Sequence, residues 1–267
     1  MDILPLIILL CGGSVAGFLA GFFGVGGGIV LVPLLLLFYQ TTGITSLVST
    51  HMAFGTSLLI IVFAAGSSAL QYSRNNQVVW KAVLFLGAGS VVGGLLGAFL
   101  AGGLEGRVLR QIFAVMLVAV AVQLLTSTKK RKSEQIPETF PPALLLGGLV
   151  VGLVSALAGV GGGIISIPLM HSIFRFPFKK ALGTSSATIV ITACAAAVGY
   201  IIRGWGNSLL PPYTLGFVDY VHAVPIIVGS VPLAILGAKV SQKTEAKRLT
   251  TFFAVLLIVV AFRMFFF

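Results

Sequence analysis

The chain has 267 residues, of which 58% are hydrophobic and 9% charged, and its mean hydropathy is +1.11. Those values exclude a water-soluble globular domain and demand a lipid bilayer as the partner of most of the surface. The formal net charge of +11 does not point to nucleic acid, because Lys and Arg retained in cytoplasmic loops explain it in a protein that crosses a membrane repeatedly.

Met1 and Asp2 precede the first apolar stretch without a basic residue, so the stretch lacks the positive start of a cleaved signal peptide and reads as structure. Cys11 lies in it and Cys194 in a later apolar segment; without metal or disulfide spacing, both read as small core residues. Runs such as Ala143 to Leu157 and Leu249 to Val260 are continuously apolar rather than alternating. They predict helices and not the strands of a closed barrel. The fold class expected is an all-α polytopic membrane protein.

The first segment of note, Gly17 to Leu34, reads GFLAGFFGVGGGIVLVPL. A glycine run inside a membrane segment breaks the helix and frees backbone groups, which only protein or a watery cavity can accommodate. A short helix is predicted to begin near Ile29, with Pro33 in an early turn where no intrahelical donor is lost. Three longer helices follow at Thr45 to Tyr72, Val78 to Ala101 and Val108 to Leu125. The stretch Thr126 to Pro142, with its KKRK run and three prolines, reads as a linker.

The pattern then repeats. Gly152 to Leu169 reads GLVSALAGVGGGIISIPL, displaced by 135 positions from the first copy, with a short helix expected from Ile164 and with Pro168 matching Pro33. ALGTS at Ala181 to Ser185 repeats AFGTS at Ala53 to Ser57 with an offset of 128, and a tyrosine follows each, Tyr72 and Tyr200. Leu236 to Arg263 matches Leu96 to Gln123, aligning Gly97 with Gly237 and Glu105 with Glu245. The later helices of this copy are Lys180 to Ile202, His222 to Val240 and Leu249 to Phe265. A long connection, Arg203 to Tyr220, belongs to it alone. The organisation is therefore a first repeat at 1–128, a basic linker at 129–142 and a second repeat at 143–267.

Charge decides how the glycine segments run. If every segment crossed fully, the 17 basic residues would divide almost evenly between the two sides. If each glycine segment is a re-entrant hairpin, each repeat crosses three times, only Arg107, Arg110, Arg203 and Arg263 lie on one side, and 13 lie opposite. The second arrangement obeys the positive-inside rule and makes the repeats inverted, with both termini outside and the linker cytoplasmic.

Two helix N-termini brought together by inverted symmetry near the midplane would form an anion site without a fixed cation. The residues expected to bind a small anionic substrate are Gly24, Gly26, Gly27 and Gly28 with Gly159, Gly161, Gly162 and Gly163, joined by the hydroxyls of Thr56, Ser57, Thr184 and Ser185. Ser186 stands where the first copy has Leu58, which makes the half-sites unequal. Gly93, Gly94, Gly97 and Gly237 read as packing residues. His51, His171 and His222 lie near segment ends and read as solvated or interfacial, although each has the chemistry to relay a proton. Glu105 and Glu245 read as helix-start residues. GVGGG lacks the GK[ST] ending of a nucleotide loop, and no metal, cofactor or catalytic motif is present.

At GFFGVGGGIVLVPL, GVGGGIISIPL, HMAFGTSLL and ALGTSSATI the chain resembles the sulfite exporter TauE/SafE family, also called the toluenesulfonate uptake permease family. The resemblance covers essentially the whole chain. It implies an inner-membrane carrier for sulfite, sulfoacetate or related sulfonates, with the GVGGG and GTS positions as its transport site. An anion channel using the same helix ends, or an intramembrane hydrolase, are the other readings left open, as is the oligomeric state.

Overall fold

The computed structural model describes residues 3–126 and 142–244, together with 255, 258–260 and 262. Nearly all of the linker, Glu245 and most of the helix expected at Leu249 to Phe265 lie outside the described residues. Helices α1 (Ile3–Phe23) and α2 (Gly28–Thr41) are separated only by the loop 24–27. They fold back on each other, Gly27 lying on Ala16 and Ala20, and Gly12 on Leu34. In the second copy α6 (Ala143–Ala158) and α7 (Gly163–Pro168) make the same hairpin, with Gly162 on Val151 and Ser155 and Gly147 on Leu169.

The prolines fall deeper than expected, at the sixth position of each short helix. There a residue would ordinarily donate to the carbonyl four positions back, so Pro33 and Pro168 deprive the Ile29 and Ile164 carbonyls of a partner. After Pro168 the helix widens into one π-type turn, Leu169–Ile173.

The two longest helices, α3 (Ser46–Arg74) and α8 (Phe178–Gly204), cross in opposite directions: Gly55 meets Tyr200, and Gly183 meets Tyr72. Helix α4 (Trp80–Ala101) runs parallel to α6, and α9 (Tyr220–Lys243) runs parallel to α1. Each half therefore lays its outer helix against the hairpin of the other half. Helix α5 (Gly106–Thr126) packs on α3, α6 and α7.

Small residues make these parallel contacts. Gly13, Gly17 and Gly21 of α1 lie on Ile226, Ser230 and Ala234, and Gly89, Gly93 and Gly97 of α4 lie on Leu145, Leu149 and Leu153. A methyl group on Gly21 would stand 1.9 Å from the Ala234 oxygen, and one on Gly93 2.0 Å from that of Leu149. In lipid, where apolar burial between helices gains little, such close backbone approach supplies the van der Waals contact that holds helices together. The opposite faces carry large apolar groups in the open, such as Leu84 at 69% and Leu146 at 64% exposure, as a lipid-facing surface requires. Cys11 and Cys194 are on these exposed faces too. They are not core residues, since only the neighbouring small positions turn inward.

The two ends of the bundle differ in charge. One end brings Gly106 to Thr50, His51 to the carbonyls of Ala101 and Leu104, and the Arg203 stem over Gly102. The other brings Asn75 and Lys179 to Gln242, and Gln77 to Gly183. Of the described basic residues, Arg107, Arg110 and Arg203 lie at the first end, while Arg74, Lys81, Arg175, Lys179, Lys180, Lys239 and Lys243 lie toward the second.

These contacts make Gly93→Val a severe change, because the clash is with backbone that cannot rotate away. It is expected to lower stability in detergent by more than about 2 kcal/mol. Gly66, whose nearest outside atom to an added methyl is 3.9 Å away, should accept alanine with no loss and a gain of up to about 1 kcal/mol. Thermal unfolding of the two variants measures both.

Candidate functional site

The loops that break the hairpins have matching backbones. Gly24, Gly26 and Gly27 have φ of 64, 84 and 85°, and Gly159, Gly161 and Gly162 have φ of 66, 81 and 88°. Residues with a Cβ rarely adopt this left-handed region, so glycine is required for the turn itself. Gly28 and Gly163 are glycines for another reason. A Cβ on Gly28 would lie 2.6 Å from the Val160 Cα, and one on Gly163 would lie 2.4 Å from the Val25 Cα. The two loops are thus packed backbone to backbone, each valine covering the other copy's helix start.

This crossing sits at the middle of the bundle. Methyl groups on Gly26 and Gly161 would both run into Ile61 and Ile189, which lie near the midpoints of α3 and α8. Helices α2 and α7 both begin here. Bonds run from the N–H groups of Val30 and Leu31 to the Gly27 carbonyl and from those of Ile165 and Ser166 to the Gly162 carbonyl. The N–H groups of Gly28, Ile29, Gly163 and Ile164 precede any acceptor within the helix. The sequence-predicted glycines are therefore brought together as two helix starts in contact.

The predicted hydroxyls surround the loops and bind them across the repeats. Ser57 donates to the Gly159 carbonyl at 2.6 Å and Ser185 to the Gly24 carbonyl at 3.0 Å. Ser166 of α7 meets Ser185 at 2.6 Å. Thr56 accepts from the backbone N–H of Asp219 at 2.9 Å, and Thr184 from that of Val79 at 3.0 Å. Val79 and Asp219 are equivalent positions, the residues just before α4 and α9. Tyr72 donates to the Gly21 carbonyl at 2.8 Å and Tyr200 to that of Ala156 at 2.9 Å. All seven side chains are buried. Ser186, the unpaired hydroxyl of the second copy, turns to the Leu182 carbonyl of its own helix.

The histidines part company. His51 is buried rather than interfacial and bonds the carbonyl of Ala101, the last residue of α4, and that of Leu104 in the turn beyond it, both at 3.1 Å. Lys179, its counterpart, similarly reaches the Gln242 carbonyl at the end of α9. His171 bonds the Phe176 carbonyl at 3.0 Å. The Glu105 carbonyl accepts from Leu109 at the start of α5.

One group was not singled out by sequence reasoning. The long connection folds into a two-stranded hairpin, β1 (Thr214–Leu215) and β2 (Val218–Asp219), and drives Phe217 against His51, Gly55 and Gly204. This places Asp219, with no exposed surface, beside His222 at 2.6 Å and Tyr39 at 3.3 Å. The available signal was an aspartate with a histidine three positions later at the start of an apolar helix.

Comparison with known proteins gives a consistent picture. The model of the family described as "Sulfite exporter TauE/SafE" matches residues 9–264. A "Probable membrane transporter protein" of Haemophilus influenzae is 33% identical over 97% of this chain and 98% of its own length. Proteins of the same description from Methanocaldococcus jannaschii and Bacillus subtilis are 29% and 27% identical, over 92% and 95% of this chain and 90% and 95% of their own lengths. No solved structure matches.

Because one carbonyl in the last turn of α1 and one in the last turn of α6 are each held by a buried tyrosine hydroxyl of the same repeat, Tyr72→Phe and Tyr200→Phe should each lower stability by about 1 kcal/mol. The double variant should lose about the sum, since the two bonds lie on opposite sides of the centre. Thermal unfolding of the singles and the double in one detergent checks both values.

Proposed function

The chain belongs to the sulfite exporter TauE/SafE family, and from that premise we propose that it is a secondary transporter of small organosulfur or sulfur oxyanions such as sulfite, sulfoacetate or related sulfonates. The observation that carries the reading is the meeting of two helix starts at mid-bundle, where free N–H groups and the positive ends of two dipoles suit an anion. The binding residues are Gly24, Gly26, Gly27, Gly28, Thr56 and Ser57 with Gly159, Gly161, Gly162, Gly163, Thr184 and Ser185. Sulfur oxyanions fit such a site because their oxygens accept several hydrogen bonds at once and need no fixed cation. The protein acts as a carrier and has no catalytic step.

Transport proceeds by alternating access between inverted repeats. The antiparallel course of the equivalent helices α3 and α8 and the return of each hairpin toward its own end support inversion. In the closed arrangement, Val25 and Val160 cover the helix starts, so the repeats must separate at this crossing for an anion to enter. The excess of basic residues at the end holding Asn75 and Gln242 supports a cytoplasmic assignment for that end in a bacterial or archaeal inner membrane, with both termini outside.

The substrate is tested by counterflow in proteoliposomes. Labelled sulfite or sulfoacetate should be taken up saturably and faster when the lumen is preloaded with the same anion. Uptake without acceleration, accompanied by unitary currents, would mean an anion channel instead. A folded protein that moves none of these anions would remove sulfur oxyanions as the cargo. Replacement of Gly27 or Gly162 is a poor probe, because φ near 85° strains any larger residue there irrespective of binding.

Sidedness has its own test. Cysteines introduced at Asn76 and Gly206, in a chain with Cys11 and Cys194 changed to serine, should react with an impermeant maleimide from opposite faces of the membrane. Reaction of both from the same face would sink the inverted arrangement.

A further inference from the structure

The buried cluster around Asp219 is not needed to build the fold. Its backbone N–H is held by Thr56 in the way that Thr184 holds Val79. Helix α4 begins at Val79 with no side-chain cap, so the same start in α9 does not require a carboxylate. The register of the repeats matches Val79 with Asp219, Ala82 with His222 and Phe174 with Tyr39. At the opposite end of the bundle those three equivalents, Val79, Ala82 and Phe174, belong to an apolar cluster with Leu86, Met170 and Phe176. A hydrophobic solution is thus available to this architecture, and the end of the bundle where α9 begins has an acid, a base and a phenol in its place.

The cost of that replacement is considerable. Asp219 has no exposed surface and lies against Thr56, about 15 Å along α3 from its start at 1.5 Å per residue. A buried carboxylate is tolerated when it is hydrogen-bonded and neutralised, and an ionisable group at such a depth usually serves ion movement. Its Oδ1 accepts the His222 backbone N–H at 3.0 Å; its Oδ2 faces His222 Nδ1 at 2.6 Å and accepts from Tyr39 at 3.3 Å. The Tyr39 hydroxyl stands equally close to Thr56, at 3.2 Å, so it can donate to one or the other.

The surrounding titratable and charged groups leave the pair to balance its own charge. From α2 comes Tyr39, and from the connection Tyr213, whose ring lies edge-on to His222. Burial, and then the Asp219 carboxylate, hold the Tyr213 phenol above its ordinary range. From α3 comes His51, which is separated by Phe217 and bonded to the end of α4. Arg203 of α8 lays its stem over Gly102, and Glu105 and Arg107 are exposed at the start of α5. No lysine or arginine bonds to Asp219 among the described residues. Phe38 covers the His222 ring, whose side chain keeps 14% of its surface exposed while Asp219 keeps none.

We infer that Asp219 and His222 form a proton-binding site, placed on the sparsely basic end of the bundle, that couples proton movement to transport. One proton enters from solvent at His222 Nε2 and converts the pair from a net charge of −1 to neutral, with Nδ1–H shared with Asp219. When the proton leaves, the uncompensated carboxylate draws the Tyr39 hydroxyl away from Thr56. Tyr39 belongs to the α2 hairpin of the first repeat and Asp219 to α9 of the second, so proton occupancy changes a bond between the parts that must move. The inference rests on the transporter reading, and its test separates the two.

In proteoliposomes the wild type should accumulate the substrate anion when a pH gradient is imposed, with dye-reported proton movement. Asp219→Asn preserves the helix cap and shape. It should keep substrate counterflow within about threefold and lose at least tenfold of the gradient-driven accumulation. His222→Gln should do the same. Unchanged gradient-driven accumulation in Asp219→Asn would reduce the carboxylate to a cap and overturn the inference; accumulation that follows a sodium gradient would overturn it as well. A substrate-free measurement stands beside these. Infrared difference spectra of the purified protein between acid and alkaline pH should contain carboxyl and imidazole bands that Asp219→Asn and His222→Gln remove. If those bands survive in both variants, the site is not there, whatever the protein transports. A wild type with the bands but no movement of any sulfur anion would retain the proton site and remove the substrate assignment.

Discussion

The constraint on which this architecture depends is that a backbone broken inside an apolar bundle must find hydrogen bonds from elsewhere. Each GVGGG loop interrupts a helix at mid-bundle and exposes carbonyls that its own hairpin cannot satisfy. For the loop carbonyls the donors come from the other repeat, Ser57 for Gly159 and Ser185 for Gly24, while Tyr72 and Tyr200 serve Gly21 and Ala156 within their own repeats. Neither half is complete alone. The same exchange appears in the outer helices, where α4 lies along α6 and α9 along α1.

That reciprocity explains why the glycines are distributed as they are. Along α1 and α4 they let parallel helices approach at backbone distance, in the loops they permit left-handed turns, and at Gly28 and Gly163 they let the two loops touch. The result is rigid along the outer seams and thin at the centre, where two valines and two isoleucines close over the helix starts. A carrier that opens by moving one repeat against the other would separate at this thin contact and keep its seams intact.

The halves agree in backbone and differ in chemistry. Serines and threonines of α8, including Ser185, Ser186, Thr188 and Thr192, stand where α3 has Ser57, Leu58, Ile60 and Ala64. The aspartate, histidine and tyrosine at one end of the bundle occupy positions equivalent to the valine, alanine and phenylalanine at the other. Duplication supplies two matching scaffolds, and substitution makes the two ends of the bundle chemically unequal.

Much of this was legible before folding. Composition required a membrane helix bundle, the 135-residue and 128-residue offsets identified the two copies, and the glycine runs located the breaks and the short helices to within a residue. The positions of Gly93, Gly97 and Gly237 also read correctly as packing sites, because small residues in membrane helices have few other uses. His51 and the two cysteines did not, since a residue near a segment end or inside an apolar run carries no mark of which way it faces. Nor did Asp219 stand out: it lies at the end of a polar connection, and Tyr39, which bonds to it, is 180 residues away. By itself the sequence determined the elements, their duplication and their breaks, because these follow from local hydropathy and from the backbone freedom of glycine. Only the tertiary structure decided which carbonyl each hydroxyl serves and which acid is buried, because those depend on how two distant copies of the module dock against each other.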